Sequence, residues 1–234
     1  MPNHHAQPGE DRQTNLSIVT TEHTALETAR SATIFEANGR VSSYLATVSG
    51  GVVALAFIGE AASLDQTFHL FLLVLLPILL FIGIVTFERT LQSGIEDGIL
   101  ARRIHRLRRY YLDVAPGLAD YLAPPAADDG PATVMRQIGI TTIRWQTFVN
   151  TAGMVRVVNS VIAGILIGVS AHMLAATLLA AVPLGIVAFL LSGVAHHHRQ
   201  AAAWARAESS VPTSPVMTGD ACCLAAWKRN PATR

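Results

Sequence analysis

The chain has 234 residues, of which 51% are hydrophobic and only 14% are charged, and its formal net charge is +1. Soluble globular proteins carry about 25% charged residues, so this composition excludes an ordinary soluble enzyme domain as well as a disordered chain. The small net charge gives no general attraction to nucleic acid, and two cysteines are too few for a disulfide scaffold. The composition therefore predicts an all-α, polytopic membrane protein.

Residues 1–40 come before the first apolar run and contain five acids and three arginines. A secretory signal peptide has a short basic region followed by an apolar core of 7–15 residues, and this segment lacks the basic region. We expect residues 1–40 to form a polar, largely disordered tail, and the first apolar run to be a retained membrane span.

Three stretches contain no Lys, Arg, Asp or Glu: 41–59, 68–87 and 157–194. About 20 apolar residues cross the hydrocarbon core of a bilayer, which is ~30 Å thick. As one helix the third stretch would be about 57 Å long, so it predicts two helices with a turn near Ser170–His172. The sequence thus predicts four transmembrane helices, arranged as hairpins over 41–87 and 151–195. Arg156 falls in the first turn of the third span, where its side chain can reach the headgroups.

The positions of the arginines predict the orientation. Nine arginines lie in the segment from Glu88 to Arg156 inclusive, whereas the connection between the first two spans has Glu60 and Asp65 and no basic residue. By the positive-inside rule, both termini and residues 88–150 are cytoplasmic. The chain has 16 Arg and one Lys, a bias typical of GC-rich coding sequence, so we expect a bacterial plasma (inner) membrane.

Residues 88–150 form the predicted cytoplasmic insert. Apolar residues follow one another at spacings of three and four, which indicates a helix; they are Leu100, Ile104, Leu107, Tyr111, Val114 and Leu118. Pro116 should end this helix or start a new turn. A Pro/Gly-rich loop at 123–131 and an amphipathic pattern up to Asn150 complete a helical hairpin.

Arginines occupy the other faces of the first insert helix: Arg102, Arg103, Arg106 and Arg109. One interpretation is a topology signal on a solvated helix face. Another is contact with anionic lipid headgroups, to which each cation contributes about 1 kcal/mol near the surface. A specific anion site is the third, and we expect no nucleic-acid partner.

The segment Arg102–Pro116, with its arginines followed by Tyr110-Tyr111-Leu112-Asp113, resembles a family of mainly actinobacterial integral membrane proteins of uncharacterised activity. In that family an Arg-rich segment ending in Tyr-Tyr-Leu-acid-x-Ala-Pro lies between two transmembrane hairpins. The resemblance covers roughly residues 30–195. It implies the same four-helix architecture and assigns no catalytic residue.

Small residues recur at every fourth position in two spans. They are Ala46, Gly50 and Ala54 in the first span, and Ser160, Gly164 and Gly168 in the third. In lipid, helices associate through close backbone approach, which small residues permit. We expect these two seams to meet each other, either within one chain or across a homo-oligomer.

Candidate chemistry is sparse. The sequence has no Walker loop, GxSxG or HExxH motif. The spans also lack the central carboxylates of ion-coupled transporters. His196–His198 are interpreted as a polar cap at the membrane surface, and His69 and His172 as a weak candidate for a proton- or metal-sensitive cluster outside. Cys222-Cys223 falls in residues 196–234, which we expect to be a largely disordered tail. We expect no catalytic residue, cofactor or metal site.

These features favour a non-enzymatic, oligomeric membrane module that presents its basic cytoplasmic hairpin to membrane lipids or to an unidentified protein partner. The alternative is a small pore or membrane effector lined by the first and third spans. A membrane enzyme that uses Tyr110, Tyr111 and Asp113 is a weaker hypothesis.

Overall fold

The computed structural model describes residues 8–61, 66–121, 150–174 and 177–210. Within these ranges the protein is all-helical. The helices are α1 (Pro8–Ala61), α2 (Gln66–Val114), α3 (Thr151–Met173) and α4 (Leu178–Ser210), with a 3-10 turn at Pro116–Leu118. Each of the four is long and apolar enough to cross a membrane. The predicted all-α class is therefore confirmed, and the four helices are consistent with a multi-pass membrane protein.

Helices α1 and α2 are much longer than one crossing requires. They contain 54 and 49 residues, which at 1.5 Å per residue makes them about 80 and 73 Å long. A bilayer with its headgroups is about 40–45 Å thick. The two helices are antiparallel and pack against each other, so the start of α1 and the end of α2 extend beyond the apolar segments at the same end of the pair.

We call these projecting parts, residues 12–40 of α1 and 88–114 of α2, the stalk. Leu26 of α1 packs against Leu100 and Ile104 of α2. Lower down, the Arg30 guanidinium donates to the Asp97 carboxylate at 2.8 Å. Contacts thus run along both helices and make the stalk a two-helix structure.

At the end of the stalk farthest from the apolar segments, residues near the start of α1 contact residues near the end of α2. The Tyr111 hydroxyl donates to the Val19 carbonyl at 3.3 Å, and its ring stacks on His23 with centroids 5.6 Å apart. The Arg12 guanidinium donates to the Val114 carbonyl at 3.0 Å. These contacts cap α2 at the residue where it ends.

The expectation of a disordered tail over 1–40 is wrong from Pro8 onward, because this segment is helical. It is helical because α2 packs against it. Leu26 and Thr33 are buried on the same face of α1 as Val41 and Tyr44, so one stripe continues from the stalk into the membrane. A stripe this thin stabilises a helix only when a second helix covers it.

The predicted insert hairpin is only partly described. Its first arm is the continuous extension of α2, and the arm ends at Val114 with a turn starting at Pro116, as predicted. The partner of that arm is the start of α1. The predicted loop at 123–131 and the second arm up to residue 149 lie outside the described residues.

The predicted C-terminal tail, 196–234, is helical as far as Ser210, so that expectation is wrong for its first part. Two contacts hold this end of α4 against α2. Arg199 donates two hydrogen bonds to the Glu88 carboxylate, at 2.6 and 3.0 Å. The Trp204 ring lies where Gly98 has no side chain, and a Cβ there would be 3.3 Å from it. Residues 211–234, including both cysteines, lie outside the described residues.

Helices α3 and α4 cross at glycines. A Cβ added at Gly164 would lie 2.9 Å from the Gly185 carbonyl oxygen, and one added at Gly168 would lie 3.5 Å from the Ala181 carbonyl oxygen. Ser160 is buried further along the same face and approaches Ser192 of α4. The predicted seam of the third span is thus the surface on which α4 packs.

The predicted seam of the first span does not meet it in this protomer. Ala46 and Gly50 are exposed, and a Cβ at Gly50 would have no neighbour within 4 Å. The face of α1 that packs on α2 contains Gly51 instead, and a Cβ at Gly51 would lie 3.1 Å from Leu79. Val41 and Tyr44 are buried on this inner face and set its position.

The glycine crossing predicts the effect of a larger side chain. Leucine at Gly164 would push against the backbone of α4, and we expect Gly164→Leu to destabilise the protein by about 1–3 kcal/mol. The measurement is thermal unfolding in detergent. The matched control is Ile165→Leu on the next, 46% exposed position, which should melt like the unsubstituted protein. Equal losses in the two variants would contradict the crossing.

Candidate functional site

All four helices contribute to one buried polar cluster, which we call the central cluster. Its most enclosed members are Tyr44 of α1 and Arg156, Asn159 and Ser160 of α3, each no more than 3% exposed. His196 of α4 reaches it from the other side. Helix α2 supplies the wall. Polar groups inside a membrane bundle are costly unless they are hydrogen-bonded, so the cluster is a candidate site by its placement alone.

A chain of contacts links three of the helices. The Tyr44 hydroxyl donates to Oδ1 of Asn159 at 2.6 Å. Nδ2 of Asn159 lies 3.5 Å from Nε2 of His196, at the long limit of a hydrogen bond. Nδ1 of His196 lies 2.8 Å from the Ser192 carbonyl oxygen.

The last contact determines where the His196 proton lies. A carbonyl oxygen can only accept, so Nδ1 must carry a proton to donate to Ser192. In a neutral ring Nε2 is then the acceptor, and the Asn159 amide nitrogen donates to it. All the bonds in the chain therefore run in one direction, from Tyr44 through Asn159 and His196 to Ser192.

Helix α2 makes room for this chain with a glycine. A Cβ at Gly83 would overlap Oδ1 of Asn159 and would lie 2.6 Å from the Tyr44 hydroxyl oxygen. One turn on, the Phe87 ring meets the His196 ring edge to face, with centroids 4.7 Å apart. Phe87 is 1% exposed, so it closes the cluster on the α2 side.

Arg156 lies beside the chain. One of its terminal nitrogens is 3.3 Å from Nδ1 of His197, and its carbonyl oxygen accepts a 2.8 Å hydrogen bond from the Ser160 hydroxyl. The sequence predicted that Arg156 reaches out to the headgroups. Its side chain is instead buried within the bundle, because α4 continues past the end of its span and covers it with His197.

Sequence reasoning missed the central cluster as a unit. Asn159 and Ser160 were visible as polar residues inside a span, but nothing in the sequence paired them with Tyr44 or Gly83. The three histidines were interpreted as a surface cap. His198 is exposed as expected, whereas His196 turns inward onto Asn159 and Phe87.

The predicted arginine site lies in the stalk, away from the central cluster. Arg103 and Arg106 are exposed, Arg109 is half-buried and Arg102 is buried. Arg108, between them, lies 3.8 Å from the Glu27 carboxylate of α1. The four predicted contact residues therefore differ in exposure, and Arg103 and Arg106 are the two that are exposed.

The structure brings His69 and His172 together on one surface. Both line a groove of about 420 Å³ between α3 and α4, whose other walls are apolar. Within the described residues, no three His, Cys, Asp or Glu side chains are placed to hold a metal ion.

Comparisons of the chain with protein-family models, curated proteins and solved structures give no match in any of the three. The resemblance stated from residues 102–116 therefore stays a prediction, and the functional argument depends on the geometry of the central cluster and the stalk.

The space at Gly83 gives a direct prediction. In Gly83→Ala the new methyl group displaces Asn159 from Tyr44, so we expect a loss of about 1–3 kcal/mol in the free energy of unfolding. Thermal or denaturant unfolding in detergent measures it.

The control is the same substitution further along α2. A Cβ at Gly94 would meet nothing within 4 Å, and replacing a mid-helix glycine by alanine gains up to about 1 kcal/mol. Gly94→Ala should therefore be neutral or stabilising. If Gly83→Ala is neutral as well, the conclusion that Asn159 packs tightly against Gly83 is wrong.

Proposed function

We propose that the protein is a non-enzymatic, oligomeric membrane module that holds a two-helix stalk above the membrane and presents its exposed arginines to an anionic partner. The observation that carries this proposal is the length of α1 and α2, which pack as one structure well past the end of their apolar segments. The hydrogen bonds of the central cluster help to hold the helices of the module together.

The height of the arginines favours a partner over the lipids of the same membrane. The apolar part of α2 ends at Phe87, and Arg103 and Arg106 lie 16 and 19 residues later. On a continuous helix this is a rise of about 24–28 Å. Screening at physiological salt has a length of about 8 Å, so headgroup charges act only weakly at that height.

The proposed orientation places the stalk in the cytoplasm. It follows from the nine arginines in residues 88–156, which the positive-inside rule assigns to the cytoplasmic side. With this orientation the architecture is two transmembrane hairpins joined by a cytoplasmic insert, in a bacterial plasma membrane, with both termini inside.

The proposed oligomer uses the open face of α1. Ala46 and Gly50 are exposed, and Gly50 leaves space for a neighbouring backbone to approach. A second copy of this chain that offers the same small-residue face can fill that space, as small-xxx-small pairs do in membranes.

The alternative function, a pore lined by the first and third spans, has less support. The polar side chains that a channel would expose to water are Tyr44, Asn159 and Ser160, and they bond to one another or to the backbone in the bundle interior. No observation on the described residues favours this alternative over the module.

The test uses the full chain in nanodiscs of neutral lipid, with a fluorescent 20-residue polyglutamate as the anionic probe. We expect binding that weakens as salt is added, because the contact is between exposed charges. Replacing both Arg103 and Arg106 by glutamine should weaken binding about tenfold or more.

The matched control is Arg89→Gln, an exposed arginine of α2 at the level of the membrane surface, which should bind the probe like the unsubstituted protein. Equal binding by the double variant would contradict the proposal. So would ion flux through liposomes that contain the protein, which would favour the pore instead.

A further inference from the structure

The central cluster has a property that the proposed function does not use. Its chain of hydrogen bonds has a fixed direction, and it passes through a histidine, whose ring changes its hydrogen-bonding character when it binds a second proton. We propose that His196 is a proton-binding site, and that protonation of its Nε2 reverses the hydrogen bonding between Tyr44 and Asn159.

The reversal follows from counting donors and acceptors. In the neutral ring Nδ1 donates to the Ser192 carbonyl oxygen at 2.8 Å, which leaves Nε2 to accept from Asn159. When a proton from the inner aqueous side binds Nε2, both groups become donors. The Asn159 amide must then rotate by 180° so that its Oδ1 faces the imidazolium.

The rotation changes the contact with α1. After it, Nδ2 of Asn159 points to the Tyr44 oxygen, which must now accept. The hydroxyl proton of Tyr44 loses the acceptor that it had at 2.6 Å. Gly83 packs closely against Oδ1 and the hydroxyl on the α2 side, so the loss of this acceptor weakens the contact between α1 and α3.

The other helices also present groups to His196. On α3, Arg156 is a permanent cation, and it reaches His197, the next residue of α4. On α2 the facing ring is Phe87, and the nearby Glu88 carboxylate is already bonded to Arg199. On α1 the facing group is Tyr44, which is neutral. Protonation of His196 therefore weakens the hydrogen-bonded contacts between α1, α3 and α4.

The experiment measures the melting temperature of the full chain in neutral-lipid nanodiscs at pH 8 and pH 5. His196 should contribute a fall of about 2–4 °C on acidification, the shift expected for the loss of one hydrogen bond in a chain of this size. In His196→Gln this part of the fall should be absent. His198→Gln, at an exposed neighbouring position, should keep the full fall.

A second variant tests the amide rotation. In Asn159→Asp the introduced carboxylate accepts from an imidazolium without rotating, so acidification should now raise the melting temperature. A further check uses the unsubstituted chain, so it does not depend on whether a variant folds. The side-chain amide signal of Asn159 in the NMR spectrum should move between pH 8 and pH 5.

Three results would each overturn the proposal: an acid-dependent fall in His196→Gln equal to that of the unsubstituted protein, an Asn159→Asp variant that is destabilised by acid, or an Asn159 amide signal that does not move. The proposal uses residues of the central cluster alone, so its failure would leave the proposed role of the stalk untouched.

Discussion

The 2.6 Å hydrogen bond between Tyr44 and Asn159 ties α1 to α3 in the interior of the bundle. In lipid the hydrophobic effect does not draw helices together, so packing and hydrogen bonds must do it. The most extensive contacts of the bundle are between α1 and α2 and between α3 and α4, and α2 also packs along α3 through a shared apolar core. The Tyr44–Asn159 bond joins the first pair to the second at full burial, and Gly83 and Phe87 enclose it from α2.

Contacts next to this hydrogen bond also hold the base of the stalk in place. The apolar segment of α2 ends at Phe87 and that of α4 at Val194, two residues before His196, and the Phe87 and His196 rings are in contact. Arg199 and Trp204 then hold α4 to α2 just beyond these apolar segments. A change in the central cluster is therefore placed to reach the base of the stalk through two continuous helices, with no loop between.

The sequence predicted the spans well because charge-free stretches have one physical meaning in a membrane protein. The start of α3 at Thr151 was also predicted, and Asn150 caps it by accepting from the Gly153 amide at 2.6 Å. The stalk was missed because the apolar stripe of residues 8–40 is thin and has meaning only beside α2. The α1 face that packs on α2 was not predicted, since spacing alone cannot tell Gly50 from Gly51.

The candidate site was less predictable than the fold, for a related reason. Tyr44 and Asn159 are 115 residues apart, and each alone is unremarkable in a span. Their pairing depends on the relative rotation of α1 and α3, which is determined by Gly83 of a third helix. His196 was hidden among three consecutive histidines, which point in different directions on a helix.

A double-mutant cycle on Tyr44 and Asn159 tests this account most directly. Tyr44→Phe removes the donor and Asn159→Leu removes the acceptor, and the free energies of unfolding of the two single variants and the double variant are measured in detergent. The account predicts a coupling energy of about 0.6–1.7 kcal/mol, the range known for hydrogen bonds between membrane helices. Losses that add to within about 0.3 kcal/mol would contradict it, because the two side chains would then not be joined.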